Sequence, residues 1–139
     1  ITLNNTDIYD DIAHSPTKAK SILMTLKQVY PGKIFAIFEP NAGNRQIDSS
    51  SLYNKAFKDA DEVVIPRLTK IKIKKGEKNK VMEGLQLKEL IAKTHPKVSY
   101  IENDEELINY LKQKTTATDA IVFLGSHGFR GMIERLIQQ

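Results

Sequence analysis

The chain has no cysteine and no tryptophan, only three histidines, and no apolar run near the roughly 18 residues that a membrane-spanning helix requires. Each absence removes a class of function. Without cysteine there is no disulfide, no thiolate nucleophile and no cysteine-based zinc or iron–sulfur site. Histidines at positions 14, 95 and 127 are too dispersed in sequence to suggest a His-rich metal site, so no metal ligand is expected. The first residues, Ile1-Thr-Leu-Asn-Asn-Thr6, carry neither the basic nor the apolar segment of a signal peptide, and a cytoplasmic location without a membrane partner is expected. A first residue of Ile rather than Met suggests a piece of a longer protein.

What is present fits one domain. The chain has 139 residues, of which 40% are hydrophobic and 27% charged, a globular composition with enough chain for an ordinary core. The net charge of +4 is uneven, because Lys70–Lys80 holds six lysines against one glutamate. Clustered lysines suit nucleic-acid phosphates, but this run has no arginine and no aromatic residue to stack on a base. It is expected to be a solvated connection, hairpin or exposed strand edge, and no nucleic-acid partner is expected.

Apolar runs alternate with amphipathic stretches along the chain. Strands are predicted at Asp7–Ile12, Ile34–Glu39, Glu62–Leu68, Val98–Glu102 and Ala120–Leu124. Ile34-Phe-Ala-Ile-Phe38 and Ala120-Ile-Val-Phe-Leu124 are apolar throughout, as strands covered on both faces must be. Helical spacing marks Ala19, Ile22, Leu23, Leu26 and Val29, then more briefly Leu52, Ala56 and Phe57, then Leu85, Leu87, Leu90 and Ile91. Leu107, Ile108 and Leu111 follow the acidic helix start Asn103-Asp-Glu-Glu106, and Met132, Ile133, Leu136 and Ile137 mark a last helix. This alternation predicts an α/β, Rossmann-like, doubly wound and mainly parallel sheet of five or six strands, with helices on both faces.

Ligands in such sheets bind beyond the carboxyl ends of the strands, which selects the loops Asp10–Ser15, Pro40–Ile47, Arg67–Lys70 and Gly125–Gly128. In the first, Ser15-Pro16 reads as an N-cap followed by proline at the first helical position. His14 stands beside that positive helix end, while Asp10 and Asp11 either accept from ligand hydroxyls or satisfy loop N–H groups. In the second, Arg45 has the chemistry to clamp a carboxylate, or to be an ordinary loop arginine. In the last, Gly125-Ser-His-Gly-Phe-Arg-Gly131 brings three glycines, Ser126 and His127 to a strand-to-helix junction. The chain contains no G-x-x-x-x-G-K-[ST] phosphate loop, and no Ser or Thr is singled out as a nucleophile by a His/Asp constellation.

Asp10-Asp-Ile-Ala-His-Ser-Pro-Thr17 resembles the Asp-Asp-Tyr-(Ala/Gly)-His-His-Pro-Thr signature that opens the C-terminal domain of the Mur ligases. Tyr30-Pro-Gly-Lys33, Phe38-Glu-Pro40, Ala60-Asp-Glu-Val-Val64 and Gly125-Ser-His-Gly-Phe-Arg-Gly-Met132 agree in order and spacing, so the resemblance covers nearly the whole chain as one domain, residues 1–139. It is nearest to members that join L-alanine, or a recycled tripeptide, to UDP-N-acetylmuramate. The resemblance implies an ATP-dependent, amide-forming ligase of peptidoglycan synthesis or recycling. Its N-terminal and central domains would be partners of this one, with Mg2+ and the ATP phosphates held mainly by the central domain. It implies that Asp11 binds the ATP ribose, and that the incoming amino acid or peptide meets His14, Asn44, Arg45, Ser126 and His127. No catalytic residue is expected in this domain. Asn41-Ala-Gly-Asn-Arg45 departs from the His-Arg-Tyr-Ser-Arg of alanine-adding members, Ser15 replaces a second histidine and Ile12 a tyrosine. The competing readings are a stand-alone anion- or nucleic-acid-binding module and a folylpolyglutamate- or cyanophycin-type ligase domain.

Overall fold

A computed structural model of the chain describes residues 2–3, 6–71, 81–125 and 127–138. Among the described residues six strands form one sheet: β1 (Thr2–Leu3), β2 (Thr6–Asp11), β3 (Ile34–Glu39), β4 (Glu62–Pro66), β5 (Val98–Ile101) and β6 (Ala120–Gly125). Their order across the sheet is β1-β2-β6-β3-β4-β5, with β1 antiparallel and every other pairing parallel. Four α-helices among the described residues cover it: α1 (Pro16–Val29), α2 (Gly84–Ala92), α3 (Asp104–Lys114) and α4 (Met132–Ile137).

The sheet has a separate core on each face, and strand alternation divides residues between them. Ile34, Ala36 and Phe38 join Val122 and Leu124 beneath Ala19 and Leu23 of α1 and Leu87 and Ile91 of α2. Phe35, Ile37, Ile121 and Phe123 point the other way, against Leu107 and Leu111 of α3 and Met132 and Leu136 of α4. That is why β3 is apolar from Ile34 to Phe38 and β6 from Ala120 to Leu124: both of their faces are buried. The direction of travel follows the same division. Connections lying on the α1/α2 face move the chain toward β5, and α3 on the other face carries it back to β6, as right-handed crossovers require.

Ends of elements are set by identifiable contacts. Ser15 Oγ accepts from the Lys18 N–H at 3.2 Å and Pro16 opens α1, as the sequence indicates. Gly32 follows α1 in a turn so tight that a Cβ there would lie 2.4 Å from the Thr118 carbonyl oxygen and 2.5 Å from Asp119 Oδ1. Buried Asp119 accepts from the Lys33 N–H at 2.7 Å and the Thr116 N–H at 2.8 Å, tying the entrances of β3 and β6 together.

Three expectations are corrected in detail. The helix expected around Leu52, Ala56 and Phe57 is a 3-10 helix, Ile47–Tyr53, followed by turns: Leu52 is exposed, and Lys55 has a φ of 56°, which no α-helix accommodates. The strand expected to reach Leu68 ends at Pro66, where the pairing with Ile101 stops, and β2 ends at Asp11, leaving Ile12 exposed. The Lys70–Lys80 run lies outside the described residues apart from Lys70 and Ile71.

Candidate functional site

At the carboxyl edge of the sheet, register places Asp11 opposite Leu124, and Gly125 opposite Glu39. Strands spaced about 4.8 Å apart therefore set Asp11 and Glu39 roughly 10 Å apart across β6. The connections after β2 and β6 leave toward opposite faces, α1 to one and α4 to the other, and those after β4 and β5 also diverge. Two clefts result, and each lies where topology opens a crevice in a doubly wound sheet.

The first cleft holds Asp11, His14 and the loop after β6. Asp11 Oδ1 accepts from the Ala13 N–H at 2.9 Å, so half of this carboxylate shapes the turn; among the described residues its other oxygen takes no hydrogen bond. Partial desolvation, then the neighbouring Glu134 and Asp11 carboxylates, raise the Asp10 pKa above the ordinary aspartate value. The His14 carbonyl accepts from the Asn41 N–H at 3.4 Å, linking the loops after β2 and β3. The buried His14 Nδ1 has no hydrogen-bond partner among the described residues. His127 is exposed beside this cleft, and Ser126 lies outside the described residues.

Asn44 and Arg45 do not reach that cleft as open side chains. Asn44 donates through both its backbone N–H (3.1 Å) and its side-chain amide (2.6 Å) to Asn41 Oδ1, and its carbonyl accepts from the Tyr53 hydroxyl at 2.6 Å. Arg45 is only 2% exposed. Its Nε donates to the Met82 carbonyl at 3.1 Å, Nη1 to the Thr69 carbonyl at 2.5 Å, and Nη2 lies 3.4 Å from Glu83 Oε2. The Met82 N–H returns a bond to the Arg45 carbonyl at 2.7 Å. Burial lowers the guanidinium pKa, against the opposing pull of Glu83 and Glu39. In this structure Arg45 is a clasp that joins three loops. Glu39 reinforces it: Oε2 accepts from the Thr69 N–H at 2.7 Å and Oγ1 at 2.8 Å, while buried Oε1 has no partner among the described residues.

The second cleft was only partly visible in sequence, through the loop Arg67–Lys70. It is a pocket of about 490 Å³ with Arg67, Lys70, Glu83, Tyr100, Glu102 and Arg130 in its wall. Arg130 crosses from the loop after β6 and grips Asp104 with two bonds, 2.9 Å from Nε and 2.7 Å from Nη2. Arg67 lies 3.8 Å from the same carboxylate. The hydrogen bond from Arg130 holds the Asp104 pKa below the ordinary aspartate value. Sequence reasoning missed this placement of Arg130 because it depends on a run of left-handed backbone, with φ of 51° at Phe129, 53° at Arg130 and 78° at Gly131. Such conformations cost about 1–3 kcal/mol at each non-glycine position and persist only where the surroundings impose them. Here the buried Phe129 ring is the anchor, packed edge-on to Phe123 at 5.0 Å, and only glycine fits at 125, where a Cβ would lie 2.9 Å from that ring.

A family model described as the Mur ligase, glutamate ligase domain matches residues 1–127. The chain belongs to this family. A UDP-N-acetylmuramate–L-alanine ligase of Clostridium acetobutylicum is 29% identical to the Mur ligase domain described here over 123 residues, covering 88% of this chain. The domain spans only 26% of that enzyme's length. Among solved structures, a murein peptide ligase of Psychrobacter arcticus superposes with a TM-score of 0.72 at 25% identity, over 97% of this chain and 27% of that one. A domain of a UDP-N-acetylmuramate:L-alanyl-γ-D-glutamyl-meso-diaminopimelate ligase from Haemophilus ducreyi gives a TM-score of 0.68 at 23% identity, over 99% of this chain and 93% of that one. The last comparison shows the same fold standing as a separate crystallised domain. Among the described residues of this Mur ligase domain, no helix is long and apolar enough to cross a membrane.

Proposed function

We propose that this domain caps the nucleotide and receives the incoming amine in an ATP-dependent Mur ligase that joins an amino acid or peptide to UDP-N-acetylmuramate, in peptidoglycan synthesis or recycling. The observation that carries it is the family match over residues 1–127 together with the position of Asp11 and His14 at a crevice of the sheet's carboxyl edge. Asp11 fits a ribose, since one oxygen is spent on the Ala13 N–H and the other can accept from a hydroxyl pair. His14, with its orphaned buried Nδ1, and exposed His127 meet the arriving substrate. ATP supplies activation of the carboxylate that is to be joined; its phosphates and Mg2+ are held mainly by the enzyme's central domain. This domain contributes by holding the amine close, which converts an encounter into an oriented step. Asn44 and Arg45 act by shaping the β3 loop, because both are engaged within the fold, and a substrate carboxylate reaches Arg45 only after Glu83 moves aside.

The test is kinetic, in the full-length ligase. Losing a hydrogen bond to a charged group costs about 1.5–3 kcal/mol, so Asp11→Ala is expected to raise KM for ATP roughly ten- to a hundredfold. It should leave KM for 2′,3′-dideoxy-ATP unchanged. Equal effects on the two nucleotides would remove Asp11 from the ribose site.

A further inference from the structure

The charges of this domain divide between the two edges of its sheet. All the parallel strands begin at the amino edge, so the connections that enter them, and the helix ends before those connections, gather there. Lys33 stands before β3, Lys55 and Lys58 before β4, Lys93 at the C-cap of α2 and Lys114 at the last residue of α3. All five are exposed, and among the described residues none forms an ion pair. Lys27 and Lys97 add two exposed charges that are paired, with Asp61 at 3.8 Å and Glu62 at 3.2 Å. The acids of this edge are turned inward. Asp7 accepts from the Tyr30 hydroxyl at 2.6 Å, Asp61 from the Ile34 N–H at 2.8 Å, Asp119 from the Lys33 N–H at 2.7 Å, and buried Glu62 from the Tyr110 hydroxyl. None of the four is exposed. Complementing a helix dipole accounts for Lys93 and Lys114, but Lys33, Lys55 and Lys58 lie outside any helix. Exposed acids collect at the carboxyl edge instead, at Asp10, Glu83, Glu102, Glu105 and Glu134.

The chemistry of the amino edge selects its partner. The five unpaired lysines enter or precede the adjacent strands β6, β3, β4 and β5, which span about 15 Å, so the charge is spread over a broad face. No arginine shares it: Arg45, Arg67, Arg130 and Arg135 all stand at the carboxyl edge, the last beside Glu105. The planar fork that registers an ordered phosphodiester or carboxylate is therefore missing, and compact ammonium charges serve a diffuse anionic surface. Val29, the last residue of α1, is 67% exposed at the same edge. A layer of lipid headgroups accommodates such a side chain, whereas a nucleic-acid backbone offers it nothing. We propose that the amino edge docks on an anionic phospholipid surface, with the lysines at the headgroups, Val29 at their inner boundary, and the two clefts of the carboxyl edge turned toward water. The expectation of no membrane partner came from the lack of a spanning segment, and contact at the headgroups requires none. The docking is independent of which amine the clefts receive.

The 139-residue chain serves for the test: it has a complete core on each face of its sheet, and the Haemophilus ducreyi counterpart was crystallised as a domain. The probes are vesicles of phosphatidylcholine alone, and of phosphatidylcholine mixed equally with phosphatidylglycerol, followed by co-sedimentation. Binding is expected to the mixed vesicles only, and to weaken as salt rises from about 0.01 to 0.15 M and the screening length falls from about 30 to 8 Å. One lysine at an anionic surface is worth about fivefold in binding, so combining Lys33→Gln, Lys58→Gln and Lys93→Gln should weaken it about a hundredfold. Combining Lys18→Gln, Lys20→Gln and Lys70→Gln removes the same charge from exposed positions near the carboxyl edge and should leave binding close to that of the wild type. The chain has no tryptophan, so Val29→Trp and Ile12→Trp give single fluorescent probes at opposite edges, both at well-exposed positions. Emission from position 29 should move to shorter wavelength on mixed vesicles, and emission from position 12 should not. Equal weakening by the two triple variants, a wavelength shift at position 12 without one at 29, or no binding to mixed vesicles at low salt would each overturn the proposal. Tighter binding to double-stranded DNA than to the vesicles at the same salt, lost in the amino-edge variant, would give the edge to nucleic acid and overturn the lipid assignment.

Discussion

Replacing Arg45 separates a clasp from a clamp. Its guanidinium is 2% exposed and donates to two carbonyls, those of Met82 and Thr69, that belong to segments otherwise far apart in sequence. Each such bond from a charged donor contributes about 1.5–3 kcal/mol, and burying the guanidinium takes part of that back. Arg45→Ala is therefore expected to lower the unfolding free energy of the 139-residue chain by about 3 kcal/mol. With a urea m-value near 2 kcal/mol/M, the midpoint would drop by about 1.5 M. Arg45→Lys should recover less than half of the loss, since one ammonium cannot reproduce a planar fork spanning two carbonyls. Amide exchange should identify the mechanism, with protection falling first at Met82, whose N–H donates to the Arg45 carbonyl. If the alanine variant unfolds within about 0.5 kcal/mol of the wild type, the range of an ordinary surface change, the clasp is refuted and a role confined to substrate contact is restored.

Two further outcomes follow from contacts at opposite edges of the sheet. Gly32→Ala drives a Cβ to 2.4 Å from the Thr118 carbonyl, and because that obstacle is backbone the turn must open; a loss of about 2–3 kcal/mol in thermal or urea unfolding is expected, and a neutral result would mean the β3 and β6 entrances are not tied there. Asp104 has its pKa lowered by Arg130, so the stability it contributes is present above the unfolded value of 3.8 and is lost as pH falls through the lower folded value. The stability difference between wild type and Asp104→Asn should accordingly be constant at neutral pH and shrink below about pH 4; a difference that does not shrink in acid would show that the Arg130–Asp104 pair does not form in solution.

The parts of the fold legible in sequence were those written by burial on two faces. Ile34–Phe38 and Ala120–Leu124 read as central strands because no position along them meets water, and Ser15-Pro16 read as a helix start because its cap is local. Leu52, Ala56 and Phe57 misled because helical spacing was carried by only three residues, and tertiary packing buried Ala56 and Phe57 while leaving Leu52 outside. At the candidate site, Asp11 and His14 were singled out by position at the end of a strand. Arg45 was singled out as well, but its partners Met82, Thr69 and Glu83 stand 24 to 38 residues away, and no local pattern announces them. Arg130 was the least legible residue, since its place depends on backbone angles that Phe129 would not adopt without a core to hold it.

The two edges of the sheet handle their polar groups in different ways. At the amino edge, Asp119, Asp61 and His95 are satisfied by backbone: Asp119 by Lys33 and Thr116, Asp61 by the Ile34 N–H at 2.8 Å, and His95 by the Ala60 carbonyl at 2.7 Å and the Lys97 N–H at 3.0 Å. At the carboxyl edge lie a buried arginine, three successive residues with positive φ, and two buried polar atoms, His14 Nδ1 and Glu39 Oε1, without partners among the described residues. A sequence selected for stability alone would remove such costs; at the other edge the described residues keep one, the left-handed Lys55, whose N–H donates to Thr94 Oγ1 at 2.9 Å. Two cores sharing one sheet supply enough stability to retain them, and they are retained on the side where the topology opens its clefts.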